Sequence, residues 1–334
     1  MPFSQCLAFL TSACNLRCAH CYNSSGQGNK LPQMPTENWL EINKILERNK
    51  VKRINYLGGE PTIHAGFPTI LNDAKRRFKS ISVQTNGATD FNWDNHEDLS
   101  VLVSLESWKE EENAKIRGKG NLEKAYKTLK NLRLLYHNPT VRITMYEDSD
   151  FIGTVAWALT RGWNVVVSDY KQFGRANDNN SILKAPSRET MFKYFRQLKY
   201  FESKYPKKIV VDMPQWAFYS EDAWNETKNN VNRNKTNCVM GIHRIVVKPT
   251  GKITPCHFFW DNEMGDVMTD DLNKVQKEVT QFRDSLMERP IISSCKNCRF
   301  LKSCSSTGCF ADFIGKDERG SPNCPIPILY GDKL

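Results

Sequence analysis

The chain has no long apolar segment and no export signal. No run of about 20 apolar residues, the length that spans a bilayer, occurs among its 334 residues. The first residues, Met1 to Ser4, carry no basic side chain, and the apolar stretch Leu7 to Leu10 is too short for a signal peptide. We therefore expect a cytoplasmic protein with no membrane contact.

Concentrated positive charge is also lacking. The net charge is +10, but the longest basic run is Lys75-Arg76-Arg77, and no RNA- or DNA-binding motif is present. The sequence thus predicts no nucleic-acid partner. A positive surface still favours an acidic partner, such as a peptide or a phosphorylated small molecule.

Disulfides are not expected, although the chain has eleven cysteines. Thiols stay reduced in the cytoplasm, where clustered cysteines more often bind metal. Cys6 stands apart within an apolar segment and is predicted to be a small core residue. The other ten fall into two groups, one near the start of the chain and one after residue 237.

Strand and helix patterns alternate over the first two-thirds of the chain. Strands are predicted at 3–11, 53–57, 81–84, 101–105, 141–145 and 164–168, and helices at 36–48, 67–78, 122–136, 151–160 and 187–201. Six successive β–α units predict an α/β fold with a parallel sheet, open or curled into a partial barrel. In such folds the functional site lies at the carboxyl ends of the strands.

The last third has a different composition. Residues 225–237 are rich in Asn and Lys and resemble a linker, 245–254 predict a hairpin that turns at 249–251, and 271–287 predict a helix. From Cys295 onward the chain is loop-like and dense in cysteine. We expect a core domain at 1–205, a bridging region at 206–237 and a small Cys-rich domain at 238–334.

The first cysteine group directly follows the first predicted strand. Cys14, Cys18 and Cys21 have the spacing C-x3-C-x2-C. Three thiolates on one tight loop can hold three irons of a cubane cluster and leave the fourth iron open, whereas electron-transfer clusters ordinarily use four cysteines. A zinc site is the alternative interpretation.

The segment from Cys14 to Tyr22 strongly resembles the signature of the radical S-adenosylmethionine (SAM) superfamily. Further landmarks follow in the expected order: Gly58-Gly59-Glu60-Pro61, Gln84-Thr85-Asn86-Gly87, Val103-Ser104-Leu105-Glu106, Ile116-Arg117-Gly118 and Phe173-Gly174-Arg175-Ala176. The resemblance implies a partial (β/α)6 barrel in which a 4Fe–4S cluster on the three cysteines binds SAM and cleaves it to a 5′-deoxyadenosyl radical. It also implies that these residues contact SAM: Tyr22, Gly58, Gly59, Glu60, Asn86, Ser104 and, by its position alone, Arg142.

The second cysteine group resembles the SPASM domain, which in relatives holds two auxiliary 4Fe–4S clusters. The resemblance implies one auxiliary cluster on Cys238, Cys256 and Cys309, and another on Cys295, Cys298, Cys304 and Cys324, so the protein would carry three clusters. The run C-x2-C-x5-C-x4-C is one residue longer at its end than in the family, and a zinc site on its four cysteines is the alternative.

The fourth ligand of the first auxiliary cluster is missing from the sequence pattern. Several relatives have an additional cysteine shortly before the first motif cysteine, but this chain has none between Cys21 and Cys238. The iron could be open and bind substrate, or it could have a non-cysteine or distant ligand.

His257 is the candidate catalytic base. Relatives that mature sulfatases have an Asp at this position, after the second motif cysteine, and His can also accept a proton near neutral pH. A purely structural role for His257 stays open, and Asp261 and Glu263 are other candidates.

Three functions compete. The resemblance favours a maturase that crosslinks, epimerises or oxidises a ribosomally made peptide. A dehydrogenase or epimerase acting on a sugar or other metabolite, and a non-enzymatic iron–sulfur or zinc scaffold, are the alternatives. Only thirteen residues precede Cys14, so we expect a separate protein or the core itself to recognise a leader peptide, and a flavodoxin- or ferredoxin-type protein to donate electrons.

Overall fold

The strands of the described chain form one ten-stranded sheet. A computed structural model describes residues 3–26, 33–135, 139–179, 183–213, 216, 238–298 and 309–326. The strands are β1 (Gln5–Phe9), β2 (Arg53–Leu57), β3 (Ser80–Thr85), β4 (Ser100–Ser104), β5 (Thr140–Met145), β6 (Asn164–Asp169), β7 (Ile209–Val211), β8 (Arg244–Val247), β9 (Lys252–Thr254) and β10 (Gly265–Asp266). Their order is β10-β9-β8-β1-β2-β3-β4-β5-β6-β7. The eight neighbouring strands β8, β1, β2, β3, β4, β5, β6 and β7 pair in parallel. The pairs β8–β9 and β9–β10 are antiparallel.

Helices cover the outer face of this sheet. They are α1 (Thr36–Arg48), α2 (Phe67–Arg77), α3 (Glu110–Arg117), α4 (Asn121–Leu134), α5 (Phe151–Thr160), α6 (Arg175–Asp178), α7 (Arg188–Lys204), α8 (Leu272–Met287) and α9 (Ser293–Lys296), with 3-10 helices at Pro61–Ile63 and Phe310–Phe313. In α1 the apolar residues Trp39, Ile42 and Leu46 recur at helical spacing and are fully buried. No helix in the described ranges is long and apolar enough to cross a membrane.

The two faces of β1 serve different parts of the molecule. Cys6, Ala8 and Leu10 are buried in the main core between sheet and helices, which confirms the prediction for Cys6. Leu7 and Phe9 point to the other side, where they form a smaller cluster with Leu57, Val246, Tyr22 and Trp260. Residues from β1 to β6 and from β8 line one cavity on this inner side, so the sheet curves around it as a partial barrel.

The predicted α/β fold is confirmed, but several short elements were not predicted: α3, α6, α9, β7, β10 and the 3-10 helices at Pro61–Ile63 and Phe310–Phe313. α3 begins with three glutamates and has little apolar pattern, and β7 has only three residues, so neither shows a clear periodicity. β3 and β4 are joined by residues 86–99 without a helix, unlike the other core crossovers of the described chain. The predicted hairpin is β8–β9, whose turn includes Gly251 at φ +83°.

The hairpin extends the core sheet instead of forming its own. β8 pairs in parallel with β1, and the register runs from Gln5 opposite Arg244 to Ala8 opposite Val247.

The domain boundaries at 205 and 238 stay a prediction, and the predicted linker at 225–237 lies outside the described residues.

Candidate active site

One cavity of about 230 Å³ opens at the carboxyl ends and inner face of the strands. Eleven residues singled out in the sequence line it: Cys14, Cys18, Cys21, Tyr22, Gly58, Gly59, Glu60, Asn86, Ser104, Arg142 and His257. They come from β1 to β5 and their following turns, and from the loop after β9. We call this cavity the chamber.

Arg175 and Gly174 hold the cysteine loop in place. The Arg175 guanidinium donates hydrogen bonds to the backbone oxygens of Cys18 (3.1 Å), Ser24 (2.8 Å) and Ser25. The backbone N–H of Arg175 donates to the backbone oxygen of Cys21 (3.1 Å). Gly174 has φ +54°, and a Cβ there would lie 2.8 Å from the Cys21 oxygen. The sequence motif around Gly174 therefore serves the cysteine loop from more than 150 residues away.

Polar donors point at the sulfur atoms. The N–H of Leu16 donates to Cys14 Sγ (3.4 Å), Asn86 Nδ2 lies 3.7 Å from the same sulfur, and Arg117 Nη1 lies 3.9 Å from Cys18 Sγ. Burial raises the pKa of Cys14 to about 12. A thiolate in this position therefore needs a positive partner, and a bound metal cluster supplies one.

The arrangement of the thiols fits a cluster of several irons. Within the part of the chain that the structure describes, no three His, Cys, Asp or Glu side chains converge closely enough to hold a single metal ion. A 4Fe–4S cluster bonds each thiolate to a different iron, so its ligands lie farther apart than those of one zinc ion. Cys14, Cys18 and Cys21 all line the chamber, which is where such a cluster would lie.

The Gly58-Gly59-Glu60 turn packs tightly against the start of the cysteine loop. A Cβ on Gly59 would lie 2.0 Å from the Ala13 oxygen, and the Gly59 N–H donates to the Thr11 oxygen (2.6 Å). Only glycine allows this approach.

Glu60 is fully buried and ties this turn to the end of β3. Its carboxylate accepts hydrogen bonds from the Thr62 hydroxyl (2.6 Å), the Thr85 hydroxyl (2.8 Å) and the Asn86 N–H (2.7 Å). Both carboxylate oxygens are thus occupied inside the protein, so Glu60 orients the turn and Asn86.

A buried charge network lies beneath Cys18. Glu106 accepts hydrogen bonds from His20 Nε2 (2.7 Å), from Arg117 Nη2 (2.5 Å) and from the Thr144 N–H (3.0 Å). Burial alone would raise the pKa of Glu106, but His20 and Arg117 outweigh it and lower the pKa to about 2. Glu106 is therefore an anion that fixes Arg117 beside the Cys18 sulfur.

The opposite wall of the chamber contains two arginines and His257. Arg142 Nη2 pairs with Asp212 Oδ2 at 3.3 Å, and Arg244 from β8 lines the same wall. The His257 ring packs against Tyr22 (5.4 Å between centroids), and its Nδ1 lies 3.7 Å from Cys256 Sγ. Burial and Arg244 lower the pKa of His257 to about 3, so its imidazole is neutral at pH 7.

The second cysteine group lies outside the chamber. Burial raises the pKa of the Cys256 thiol, to about 12, and that of the Cys309 thiol. The charge of the neighbouring Cys238 adds to both shifts. Cys295 and Cys324 lie on adjacent segments, since the Ile292 N–H donates to the Arg319 oxygen (3.1 Å) and a Cβ on Gly320 would be 3.3 Å from Cys295 Sγ. Cys298 follows Cys295 by one turn, and Cys304 lies outside the described residues.

Several chamber residues were missed in the sequence. They are Gln5, Asn55, Ser168, Asp169, Lys171, Asp212 and Arg244. Asn55 Oδ1 and Ser168 Oγ are buried and have no hydrogen-bond partner among the described residues. Alternation along each strand offered a signal, because Gln5, Asn55 and Ser168 are polar residues on the strand face opposite to the core.

Comparison with known proteins agrees with this geometry. Residues 9–157 match the radical SAM superfamily model, and residues 238–299 match the SPASM model, described as an iron–sulfur cluster-binding domain. The resemblance drawn from the sequence is thereby confirmed.

Curated relatives include maturation proteins. The mycofactocin maturase MftC of Mycolicibacterium smegmatis is 34% identical over 38% of this chain and 34% of its own length, so the chain matches about a third of that relative. MftC of Mycobacterium ulcerans is 25% identical over 92% of this chain and 83% of that protein. The subtilosin biosynthesis protein AlbA of Bacillus subtilis is 26% identical over 89% and 67%.

Solved structures share the fold over nearly the whole chain. Streptococcus suis SuiB bound to SAM has a TM-score of 0.76 at 16% identity and covers 96% of this chain and 77% of SuiB. The enzyme anSMEcpe with bound SAM has a TM-score of 0.72 at 15% identity and covers 98% of this chain and 94% of its own. At these identities the likeness concerns the fold alone.

We expect Gly174→Ala to destabilise the protein more than Gly162→Ala. Both glycines have positive φ (+54° and +76°), which costs a residue with a Cβ about 1–2 kcal/mol. A Cβ at 174 also lies 2.5 Å from the Tyr22 oxygen, whereas nothing lies within 4 Å at 162. Urea unfolding should show an additional loss of about 1–3 kcal/mol for Gly174→Ala. Equal losses would contradict the role of Gly174 in seating the cysteine loop.

Glu106→Gln should destabilise the protein by about 3–5 kcal/mol near pH 7, because it leaves Arg117 buried without an anion. The pKa of Glu106 is lowered from 4.5 to about 2, so its stabilisation is complete above pH 4.5 and is lost as the pH falls towards 2. The control is Glu41→Gln on the exposed side of α1, which should leave the urea midpoint unchanged. A similar midpoint for both variants would show that the Glu106 network contributes little.

Proposed function

We propose that this chain, which has a radical SAM domain followed by a SPASM domain, is an enzyme that modifies a ribosomally made peptide by hydrogen-atom abstraction. The observation that carries the proposal is the chamber itself. Three thiols on one loop, a glycine turn and residues of the SPASM region face a single cavity. A scaffold protein would have no use for such a cavity.

The substrate class is inferred from relatives. Two relatives that overlap most of this chain are named as a mycofactocin maturase and a subtilosin biosynthesis protein, and SuiB has been solved with its precursor peptide SuiA. We infer that this chain also acts on a precursor peptide and forms a crosslink, an epimer or an oxidised side chain.

We assign three 4Fe–4S clusters to the chain. Cys14, Cys18 and Cys21 would hold the first, Cys238, Cys256 and Cys309 the second, and Cys295, Cys298, Cys304 and Cys324 the third. Bound SAM and the first cluster together supply a 5′-deoxyadenosyl radical, which removes a hydrogen atom from the substrate. Ser104, Arg142, Tyr22, Asn86 and the backbone of Gly58 and Gly59 are proposed to hold SAM, while Glu60 orients that turn.

Charges in the chamber support these roles. Among the described residues of this wall, Arg142 and Arg244 face one carboxylate, that of Asp212, so the wall has an excess of positive charge and can accept one carboxylate from SAM or from the substrate. Arg117 lies beside Cys18 Sγ and stabilises a thiolate there.

His257 is proposed as the base that removes a proton from the substrate radical when the product is oxidised. Its lowered pKa leaves the imidazole unprotonated at pH 7 but also makes it a weak base, so the proposal rests on position. The ring lies between Tyr22 and Cys256, at the boundary between the chamber and the first auxiliary cysteine group. The proton and the electron would therefore leave the substrate on the same side.

The reaction needs partners. We propose a flavodoxin- or ferredoxin-type electron donor, and a separate protein that helps to bind the leader of the peptide. We also place the reaction in the cytoplasm, where thiols stay reduced and can bind iron–sulfur clusters.

The protein, purified and reconstituted without oxygen, should form 5′-deoxyadenosine from SAM and a strong reductant, and the peptide fraction of host extract should stimulate this reaction. The metabolite fraction should not. Cys18→Ala should lower 5′-deoxyadenosine to the level without enzyme, whereas Cys6→Ala, which removes a buried thiol on the opposite face of the sheet from the chamber, should retain it. Stimulation by metabolites alone would contradict the peptide proposal.

His257→Ala should still form 5′-deoxyadenosine, but modified peptide should fall by about 100-fold or more, the usual contribution of a positioned base. Mass spectrometry measures the modified peptide, and chromatography measures 5′-deoxyadenosine. His243→Ala, outside the chamber residues, is the matched control. An unchanged peptide yield in His257→Ala, or loss of both products, would exclude His257 as the base.

A further inference from the structure

The first auxiliary cluster needs a fourth ligand or keeps an open iron. This inference rests on the proposal that Cys238, Cys256 and Cys309 hold that cluster. A closed 4Fe–4S cluster takes four protein ligands, and the chain has no cysteine between Cys21 and Cys238 to complete the set. Cys6 is buried in the main core and cannot serve. A fourth protein ligand would therefore have to be a side chain other than cysteine.

Asp312 lies one turn after Cys309 in the chain. Cys309 is the residue before the 3-10 helix Phe310–Phe313, and the Asp312 N–H donates to the Cys309 oxygen at 2.9 Å. The turn that carries Asp312 therefore begins at a residue whose sulfur is assigned to the proposed cluster.

One oxygen of this carboxylate is held and the other is free. The Asp312 side chain is only 10% exposed, and its Oδ1 pairs with Lys171 Nζ, which also binds Asp169 Oδ2 at 2.7 Å. Asp312 Oδ2 is buried and has no hydrogen-bond partner among the described residues. A buried anionic oxygen without a partner is costly, so this position calls for a cation.

The charges around Lys171 also favour a cation at Asp312. Asp169 and Asp312 share a single ammonium group, so the group has one negative charge in excess. Lys171 fixes the orientation of the carboxylate through Oδ1, as the outer partners of metal-binding carboxylates do.

Asp212, another carboxylate near this cysteine group, is less suitable. It is 56% exposed, and its charge is already balanced by Arg142. We propose that Asp312 is the fourth ligand of the first auxiliary cluster and binds iron through Oδ2, so that Cys238, Cys256, Cys309 and Asp312 form a closed site.

The test uses the full-length chain with Cys14, Cys18 and Cys21 replaced by Ala, so that only auxiliary clusters are loaded. Cyanide labelled with ¹³C is titrated into the reduced protein, and its coupling to the cluster is measured by electron–nuclear double resonance. In Asp312→Ala no carboxylate competes for the iron, so cyanide should bind about tenfold more tightly or better than to the parent. Iron content reports cluster loading independently of catalysis.

Two further variants separate ligation from charge. Asp169→Asn changes the other carboxylate on Lys171 and should bind cyanide as the parent does. Asp312→Cys supplies a thiolate and should bind none, and it is decisive if Asp312→Ala loses the cluster.

Equal affinity of the parent and Asp312→Ala, a gain of similar size in Asp169→Asn, or cyanide binding by Asp312→Cys would each overturn the assignment of Asp312. A parent protein whose iron content and spectra show no cluster on Cys238, Cys256 and Cys309 would instead contradict the proposed cofactors, and this assignment with them.

Discussion

The parallel pairing of β8 with β1 is the constraint on which the site depends. Four residue pairs align the two strands, and the N–H groups of Ser4 and Gln5 both donate to the His243 oxygen at 2.9 Å. This pairing brings the C-terminal cysteine region to the strand that leads directly into Cys14. Arg244 therefore stands beside Gln5 inside the barrel, and the loop after β9 carries His257 to Tyr22. Without it the chamber would lack a wall.

Buried charges around the chamber are arranged in small balanced groups. Glu106 neutralises Arg117 beneath Cys18, and Asp212 neutralises Arg142 on the opposite wall. Since an unpaired buried charge is strongly destabilising, each of these groups fixes its members in position. Asp312 Oδ2, in contrast, is buried and has no hydrogen-bond partner among the described residues.

The chamber and the first auxiliary cysteine group are joined by aromatic contacts. Tyr22 follows Cys21 directly and packs against both His257 and Phe258, and His257 contacts Cys256. A substrate in the chamber would thus lie between the cysteines proposed to hold the radical-generating cluster and those proposed to hold an electron-accepting one. The tertiary fold places the two cysteine-bearing parts of the chain next to each other through these contacts of Tyr22, His257 and Cys256.

Local features determined what could be predicted from the sequence. The six longer strands depend on neighbours along the chain, so they were visible in residue order and were found close to their predicted positions. The cysteine spacing and the Gly58-Gly59 turn are equally local, and the structure places them on the chamber. Tertiary structure alone decided which distant residues meet: Arg175 holds a loop more than 150 positions earlier, Asp212 pairs with Arg142, and Lys171 reaches Asp312. These contacts join side chains whose own segments carry no periodic signal, as in the three-residue strand β7. Their positions follow from the curvature and register of the sheet, which depend on every strand at once.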